Sequence, residues 1–221
     1  PSLAVHATAR QRFLREARAA ASIQHDRIVS IYQVGEDRGV PFLAMPFLRG
    51  ETLERRITRE GPLADCVTRR IGHELAEGLS VIHERGLIHR DIKPGNIWLE
   101  GEMARVKILD FGLARARGDV QLTVDGSIVG SPAFMAPEQA NRQPVDCRAD
   151  LFSMGVVLYL MASGKLPFVG DDALTTLLAV TTAEPAPLPH VHPDLETLIR
   201  RLLAKTPDER PQTAREVMAA L

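Results

Sequence analysis

The sequence predicts an α+β fold in which a large helical part follows a smaller β-rich part. Two short runs of β-branched and aromatic residues lie between residues 28 and 45, which is typical of strands. After Gly50, apolar residues recur mostly at helical spacing. The chain has 221 residues, of which 45% are hydrophobic, so it can bury one sizeable core.

The first predicted elements are a helix and a pair of strands. We expect a helix over residues 8–22, which Thr8 can cap, because several apolar side chains share one face (Phe13, Ala17 and Ala20). Strands are expected at 28–32 and 40–45, and the turn-like residues 35–39 between them predict antiparallel pairing. Two strands alone make a marginal sheet.

Helices and one short hairpin account for the rest of the chain. An apolar stripe predicts a helix that Gly86 ends (Val67, Ile71, Leu75, Leu79 and Ile82). Residues 97–99 and 106–109 predict a hairpin with its turn at 100–102. The stretch 149–161 is apolar nearly all round, so we expect a central buried helix there. Further helices are predicted at 171–183, at 195–203, and after Thr213, which forms a capping-box pattern with Glu216.

Composition excludes several classes of protein. With 27 basic and 28 acidic side chains the net charge is −1, which argues against an electrostatic nucleic-acid binder. Cys66 and Cys147 lack metal-ligand spacing, and the seven histidines have no cysteine partners, so a zinc site is not expected. The start shows no signal peptide, and the longest apolar stretch, 151–162, is too short to span a bilayer. We expect a cytoplasmic protein, or one on the cytoplasmic face if a segment outside this chain anchors it.

The most informative motif is the run from His89 to Asn96, followed by Asp110-Phe111-Gly112. Asp91 is a carboxylate that can orient an alcohol and accept its proton late in phosphoryl transfer. Lys93 can reach the travelling phosphate from the same loop. Asn96 and Asp110 offer a neutral and an anionic oxygen, a mixture that suits magnesium bridging to nucleotide phosphates.

These motifs and their order resemble a known family. From Phe13 to the end, the chain resembles the bacterial, eukaryotic-like (Hanks-type) branch of Ser/Thr protein kinases. The landmarks occur in the family's order (RFLREARAAA, HRDIKPGN, DFG, GSPAFMAPEQ, DLFSMG and DERP). The resemblance implies a truncated β-rich N-lobe at 1–48, with helix C, two strands and the hinge, and a mostly helical C-lobe at 49–221. ATP would bind between the two lobes.

The resemblance also implies roles for the motif residues. Asp91 would be the catalytic base, and Asn96 and Asp110 would hold magnesium. Lys93 would contact the phosphate and indicates Ser/Thr acceptors in protein substrates. Glu16, in the predicted first helix, would pair with a nucleotide-binding lysine on a preceding strand.

A second implied set of residues binds the adenine ring. Met45 would lie at the rear of the hinge, and Leu48 would supply the more important backbone contact. Pro46 departs from the acidic residue common at its position and has no N–H to donate. Trp98 would lie under the adenine, where it either stacks on the base or packs beneath the hinge.

Other residues would support the substrate platform and regulation. Glu138, in Ala-Pro-Glu, would pair with Arg210. Asp150 would brace the catalytic loop, residues 89–96, from a buried helix, where a carboxylate needs hydrogen-bond donors. The Ser131 hydroxyl stands where threonine is usual and could bond Asp91 and Lys93.

Phosphorylation between Asp110 and Glu138 is a further expectation. Arg90 would receive a phosphate from this stretch. Thr123 is the preferred autophosphorylation site and Ser127 the second choice. A second copy of the chain is therefore a candidate partner.

Three functional interpretations remain open from the sequence. The first is a Ser/Thr protein kinase that transfers the ATP γ-phosphate to proteins. Residues 1–12 contain neither a glycine-rich loop nor a strand lysine, so we expect a portion of a longer kinase, inactive or weak by itself. The alternative is a non-catalytic binding module derived from a kinase. A small-molecule phosphotransferase is disfavoured by Lys93 and by the Ala-Pro-Glu platform.

Overall fold

The computed structural model describes residues 17, 19, 21–37, 40–109 and 131–221. Strands β1 (Gln33–Asp37) and β2 (Val40–Ala44) form an antiparallel pair. Strands β3 (Gly50–Thr52), β4 (Ile97–Glu100) and β5 (Arg105–Ile108) form a second antiparallel sheet in the order β3-β4-β5. The remaining elements are helices, which confirms the predicted α+β class.

The helices with defined bounds lie between residues 53 and 220. They are α1 (Leu53–Glu60), α2 (Asp65–Glu84), α3 (Pro137–Ala140), α4 (Arg148–Ser163), α5 (Ala173–Thr182), α6 (Pro193–Leu202) and α7 (Ala214–Ala220). Short 3-10 turns occur at Pro94–Asn96, Pro132–Phe134 and Pro207–Glu209. In the predicted first helix, the described residues Ala17, Ala19 and Ala21 are helical.

The predicted strand at 28–32 is wrong. Ile28 makes only an isolated parallel bridge to Ile108, and the strand that pairs with β2 begins at Gln33. Ile28 and Val29 are 1% and 2% exposed, so their β-branched side chains reflect burial rather than membership of a ladder. Gly35, predicted as turn, lies inside β1 opposite Phe42, whose ring would come within 2.5 Å of a Cβ at that position.

Local capping fixes the helix ends. The Thr52 hydroxyl accepts a hydrogen bond from the N–H of Arg55 and starts α1. Helix α2 ends two residues before Gly86, which has a left-handed φ of 69°. Thr213 caps α7 by accepting from the N–H of Glu216, as its capping-box pattern predicts.

Helix α4 forms the centre of the large helical part. It is buried on nearly every side and packs on α2 and α6, while α7 closes over α2. Gly155 permits the contact with α6, because a Cβ at this position would lie 2.7 Å from Cβ of Leu202. This core carries the loop that joins α2 to β4 and so positions the candidate site. Among the described residues, none of the helices combines the length and apolarity that crossing a bilayer requires.

Candidate active site

Three side chains predicted to act together converge in the loop between α2 and β4. One carboxylate oxygen of Asp91, Oδ2, lies 2.9 Å from Lys93 Nζ and also accepts a 2.9 Å hydrogen bond from Asn96 Nδ2. Asn96 belongs to the 3-10 turn that leads into β4, and its position in this turn returns its side chain toward Asp91. The arrangement places a carboxylate, a cation and an amide at one point of the surface.

Asn96 is oriented by its own amide group. Its Nδ2 donates both to the main-chain oxygen of Asp91, at 2.8 Å, and to the carboxylate of the same residue. Both N–H groups are thereby used on Asp91, which leaves the Oδ1 oxygen to face elsewhere. A neutral amide oxygen of this kind fits a magnesium ion, which takes oxygen ligands. Asp110, the second ligand implied by the sequence, lies outside the described residues.

Asp150 holds the catalytic loop from helix α4. Its carboxylate is fully buried and accepts from the backbone N–H groups of His89 and Arg90, at 2.8 and 2.7 Å. The ring nitrogen Nε2 of His83 lies 2.8 Å from the same carboxylate. Burial by itself would raise the pKa of Asp150, but the hydrogen bond with His83 and the donors of the loop outweigh it, so the pKa lies below its ordinary value.

His83 is a site residue that sequence reasoning missed. The sequence alone indicates no more than a histidine near the end of the predicted helix. In the structure it lies near the end of α2 and places its ring against Asp150. The His83 side chain is 10% exposed, so its polar ring requires a partner, but the sequence does not identify that partner.

The ring of His89 joins the loop to the end of β5. Its Nδ1 accepts a 3.3 Å bond from the N–H of Asp91, so Nε2 carries the proton and donates to the carbonyl of Leu109 at 2.8 Å. The N–H of Leu109 in turn donates to the carbonyl of Asn96 at 2.9 Å. Leu109 therefore orients the catalytic loop through its main chain, which a residue-type pattern does not reveal.

Arg90 has a left-handed backbone with φ of 64°, which is uncommon for a residue with a Cβ. Its N–H is held by Asp150, and its carbonyl accepts from Gln139 Nε2 at 3.3 Å. The same Gln139 side chain accepts from the N–H of Ala136 at 2.9 Å. Gln139 thus connects the catalytic loop to α3, a role that its sequence position does not indicate.

The Ala-Pro-Glu segment is fixed by a buried ion pair between Glu138 and Arg210. The two side chains are joined by parallel hydrogen bonds of 2.8 and 2.9 Å, and the guanidinium is fully buried. Arg210 also donates to several main-chain carbonyls (Arg148, Ala204 and Lys205). The pair joins α3 to the loop before α7, two regions that are distant in sequence.

Lys205 lies beside this ion pair. Its Nζ lies 3.5 Å from the centroid of the Phe168 ring and donates to the carbonyl of Val180 at 2.8 Å. The Arg210 guanidinium lies 5.0 Å from the ring of Phe152, which stacks on Phe168. Burial lowers the pKa of Lys205 to about 8, against the opposing attraction of Glu184.

The expected hinge follows strand β2. Met45 is 39% exposed and Leu48 is half-buried. Within the described part of the chain, no backbone hydrogen bond involves Leu48. Trp98 lies on β4, paired in register with Thr52, and its indole nitrogen is covered by Gly50, where a Cβ would come within 3.1 Å.

The other predicted site residues divide into two groups. Glu16, Asp110, Thr123 and Ser127 lie outside the described residues. Ser131 precedes the 3-10 turn Pro132–Phe134 and accepts from the N–H of Phe134 through its carbonyl. Between the described residues, no hydrogen bond joins the Ser131 hydroxyl to Asp91 or Lys93. In the ranges that the structure covers, His, Cys, Asp and Glu side chains form no group that could hold a metal ion by themselves.

The chain is similar to known proteins along almost its whole length. Residues 3–220 match the family model described as a protein kinase domain. Over 220 residues the chain is 36% identical to serine/threonine-protein kinase PknB of Mycolicibacterium smegmatis, which covers 95% of this chain and 35% of that protein. It is 38% identical over 224 residues to serine/threonine-protein kinase pkn3 of Myxococcus xanthus, covering 95% of this chain and 41% of that protein.

A third relative is a probable serine/threonine-protein kinase of Clostridium acetobutylicum, 36% identical over 214 residues. These cover 95% of this chain and 32% of that protein. The chain therefore spans between about a third and two fifths of the length of these curated relatives.

Proposed function

The chain belongs to the protein kinase family, and from this premise we propose that it transfers the γ-phosphoryl group of ATP to serine or threonine hydroxyls of protein substrates. The observation that carries the proposal is the contact of Lys93 and Asn96 with one carboxylate oxygen of Asp91. The names of the relatives, all serine/threonine-protein kinases, support the acceptor type.

Asp91 is proposed to orient the acceptor hydroxyl and take up its proton. The phosphoryl group passes through a loose transition state, so the enzyme contributes mainly positioning and neutralisation of charge. Hydrogen bonds from the loop hold the Asp91 carboxylate in one direction before the substrate arrives. This preorganisation lowers the reorganisation that the transfer would otherwise require.

Lys93 and Asn96 act on the phosphate side of the reaction in this proposal. The Lys93 ammonium lies next to the carboxylate and can contact an oxygen of the transferred group. The Asn96 Oδ1 oxygen, together with Asp110, would ligate magnesium, which supplies positive charge at the nucleotide phosphates. The work of Asn96 itself is to hold this oxygen fixed relative to Asp91.

Adenine would be held at the hinge and above Trp98. The main-chain groups of Leu48 are unengaged among the described residues, which supports a role in hydrogen bonding to the base. Trp98 is the single tryptophan of the chain, so its fluorescence reports on this site. Glu16 is proposed to orient a nucleotide-binding lysine, as in the family. Because the reaction uses ATP, we place it on the cytoplasmic side.

Phosphorylation of the chain itself belongs to the same proposal. Arg90 leaves the catalytic loop from a backbone held by Asp150 and Gln139, so its side chain starts from a fixed point. A phosphate on Thr123, or on Ser127, would be drawn to this arginine, and a second copy could deliver it. Phosphopeptide mapping of the active intact protein tests this proposal. If both Thr123 and Ser127 are found unmodified, the proposal is contradicted.

The experiment that tests the function compares the intact protein with its Asp91→Asn variant. We expect magnesium-dependent transfer from radiolabelled ATP to serine or threonine of a general protein substrate. The variant should lose a factor on the order of 100 to 10,000 in kcat. Quenching of Trp98 fluorescence by an ATP analogue should be the same in both proteins, because the substitution leaves the adenine site unchanged.

Two outcomes would contradict the proposal. Equal turnover in both proteins would remove Asp91 from the reaction. Tight binding of nucleotide or a protein partner without any transfer would instead identify a binding module.

A further inference from the structure

Arg27 makes an extensive set of charged contacts away from the candidate active site. It lies between the first helical residues and strand β1, and its guanidinium bonds two carboxylates of helix α2. Nη1 lies 2.8 Å from Glu74 and Nε lies 2.8 Å from Glu77. The Arg27 side chain is 20% exposed and that of Glu74 is 12% exposed, so the contacts are partly shielded from water. A planar guanidinium can bond two carboxylates at once.

The Glu74 carboxylate extends this cluster to the sheet. The oxygen that bonds Arg27 also accepts from the N–H of Val106 at 2.8 Å, at the middle of β5. Its other oxygen lies 3.3 Å from Arg70, one turn earlier on α2. One carboxylate therefore links the 25–29 segment, helix α2 and strand β5.

The main chain of the same segment holds the end of β5. The carbonyl of Arg27 accepts from the N–H of Ile108 at 2.7 Å, and the carbonyl of Ile108 accepts from the N–H of Val29 at 3.0 Å. Gly78 on α2 allows the close fit, because a Cβ there would lie 2.7 Å from the Ile108 side chain and 3.1 Å from Arg27. Ile108 is thus bonded on both of its main-chain groups by the segment that Arg27 anchors.

The residue after Ile108 is hydrogen-bonded to the catalytic loop. Leu109 donates its N–H to the carbonyl of Asn96 and accepts from the ring of His89, which in turn accepts from the N–H of Asp91. A path therefore connects the Arg27 cluster to Asn96 and Asp91. Hydrogen bonds join the cluster to Ile108, the peptide chain continues to Leu109, and hydrogen bonds lead from Leu109 to the loop. Every step of this path is between described residues.

We propose that Arg27 is a positioning residue that sets the end of β5 and thereby the geometry of Asn96 and Asp91 in the catalytic loop. The inference rests on the proposed function, because it takes Asn96 as a magnesium ligand. Removing the guanidinium leaves Glu74 and Glu77 facing each other one turn apart, where like charges repel. The 25–29 segment then shifts, and the Asn96 oxygen loses its fixed position.

The test measures magnesium binding by thermal stabilisation rather than by turnover. The intact protein is saturated with a non-hydrolysable ATP analogue, and the magnesium concentration that gives half of the stabilisation is determined. For Arg27→Met we expect this midpoint to rise roughly tenfold, the lower end of the effect of residues that orient metal ligands. Arg27→Lys keeps the charge but bonds one carboxylate, so its midpoint should rise less.

Two reference variants separate the possible explanations. Arg215→Met removes an exposed pair with Glu84 at the end of the same helix, and its midpoint should equal that of the unmodified protein. Asn96→Ala removes the proposed ligand and should raise the midpoint most. If Asn96→Ala has no effect, the proposed function is wrong at this site. Suppose that Asn96→Ala raises the midpoint, while the Arg27 variants lower the melting temperature measured without magnesium and leave the midpoint unchanged. The positioning role of Arg27 is then overturned.

Glu77→Gln provides a second route should Arg27→Met not fold. It removes the charge of one of the two partners, whose amide oxygen can still accept a hydrogen bond, and leaves Glu74 in place, so a smaller rise in the magnesium midpoint is expected. An unchanged midpoint in this variant overturns the proposal, and a rise supports it.

Discussion

Two buried carboxylates, Glu138 and Asp150, support neighbouring parts of the candidate site in different ways. Glu138 fixes the segment before α3 through parallel hydrogen bonds with a single side chain, Arg210. Asp150 fixes the catalytic loop through two backbone N–H groups and one ring nitrogen, that of His83. Both regions bury a negative charge, but the first surrounds it mainly with a guanidinium and the second mainly with main-chain N–H groups.

The difference determines what can replace each carboxylate. Glu138 and Arg210 can be replaced together, because the charge that opposes Glu138 belongs to a side chain. The main partners of Asp150 are peptide N–H groups, which no substitution other than proline removes. A buried donor that loses its acceptor costs about 1–3 kcal/mol. We therefore expect the ion-pair region to tolerate a paired replacement and the catalytic loop not to tolerate one.

The largest expected effect is that of Arg210→Met. Breaking a buried ion pair costs about 3–5 kcal/mol, because the remaining Glu138 charge is buried without compensation. The double variant Arg210→Met/Glu138→Leu should recover a large part of this loss in the free energy of unfolding, measured by urea titration. Recovery is incomplete because several carbonyls also lose their donor. A double variant no more stable than the single one would remove the proposed distinction between the two regions.

The next largest loss in the free energy of unfolding is expected for Asp150→Asn. An asparagine oxygen can accept from His89 or Arg90, but its amide group cannot accept from the other, so we expect a loss of about 2–3 kcal/mol. Unlike the ion pair, this loss should persist in Asp150→Leu/His83→Leu, since the loop N–H groups remain buried. Urea titration of both variants provides the measurement, and full recovery in the double variant would contradict the comparison.

His83→Phe tests how much of the Asp150 contact depends on its side-chain partner. The two backbone donors remain, so the loss in unfolding free energy should be about 1.5 kcal/mol, the lower end of the range for a hydrogen bond to a charged group. If His83→Phe lowers the free energy of unfolding as much as Asp150→Asn does, the backbone donors contribute little to the stability of the Asp150 contact. Asp150 would then depend on a side-chain partner, as Glu138 does.

The smallest expected effect concerns Lys205, which shares the aromatic pair with Arg210. Its pKa falls from an ordinary 10.5 to about 8 in the folded chain, so the unfolded chain holds this proton more tightly. The stabilising contribution is present above pH 10.5 and is lost as the pH falls through about 8. The difference in unfolding free energy between the unmodified protein and Lys205→Met should therefore rise with pH across this window. A difference that does not change with pH would contradict it.

The sequence predicted the fold class and most helices because their patterns depend on burial alone. Helix α4 is an example, since its apolar residues on every side require a central position. The same dependence explains the error at Ile28 and Val29, whose apolar character reports burial without indicating the hydrogen-bond partner. Strand β3 was missed for the related reason that Gly50–Thr52 has no apolar alternation.

The candidate site was predictable where the residue type indicates the chemistry and not where tertiary contacts decide the role. Asp91, Lys93 and Asn96 have residue types that suit their proposed chemistry, and the structure brings them together. The contributions of His83 and Gln139 depend on tertiary contacts, so their residue types gave no indication of the partners. Arg27 was likewise invisible, because its carboxylate partners lie some fifty positions further along the chain.

The two main-chain hydrogen bonds of Leu109 have a consequence for genetic variation at this position. Since the carbonyl and the N–H do the orienting, many side chains of similar size can occupy position 109 without altering the loop. Proline is the exception, because it has no N–H to donate to Asn96. A saturation library of the intact protein scored for phosphoryl transfer should therefore retain several aliphatic residues at 109 and deplete proline alone among those of comparable volume.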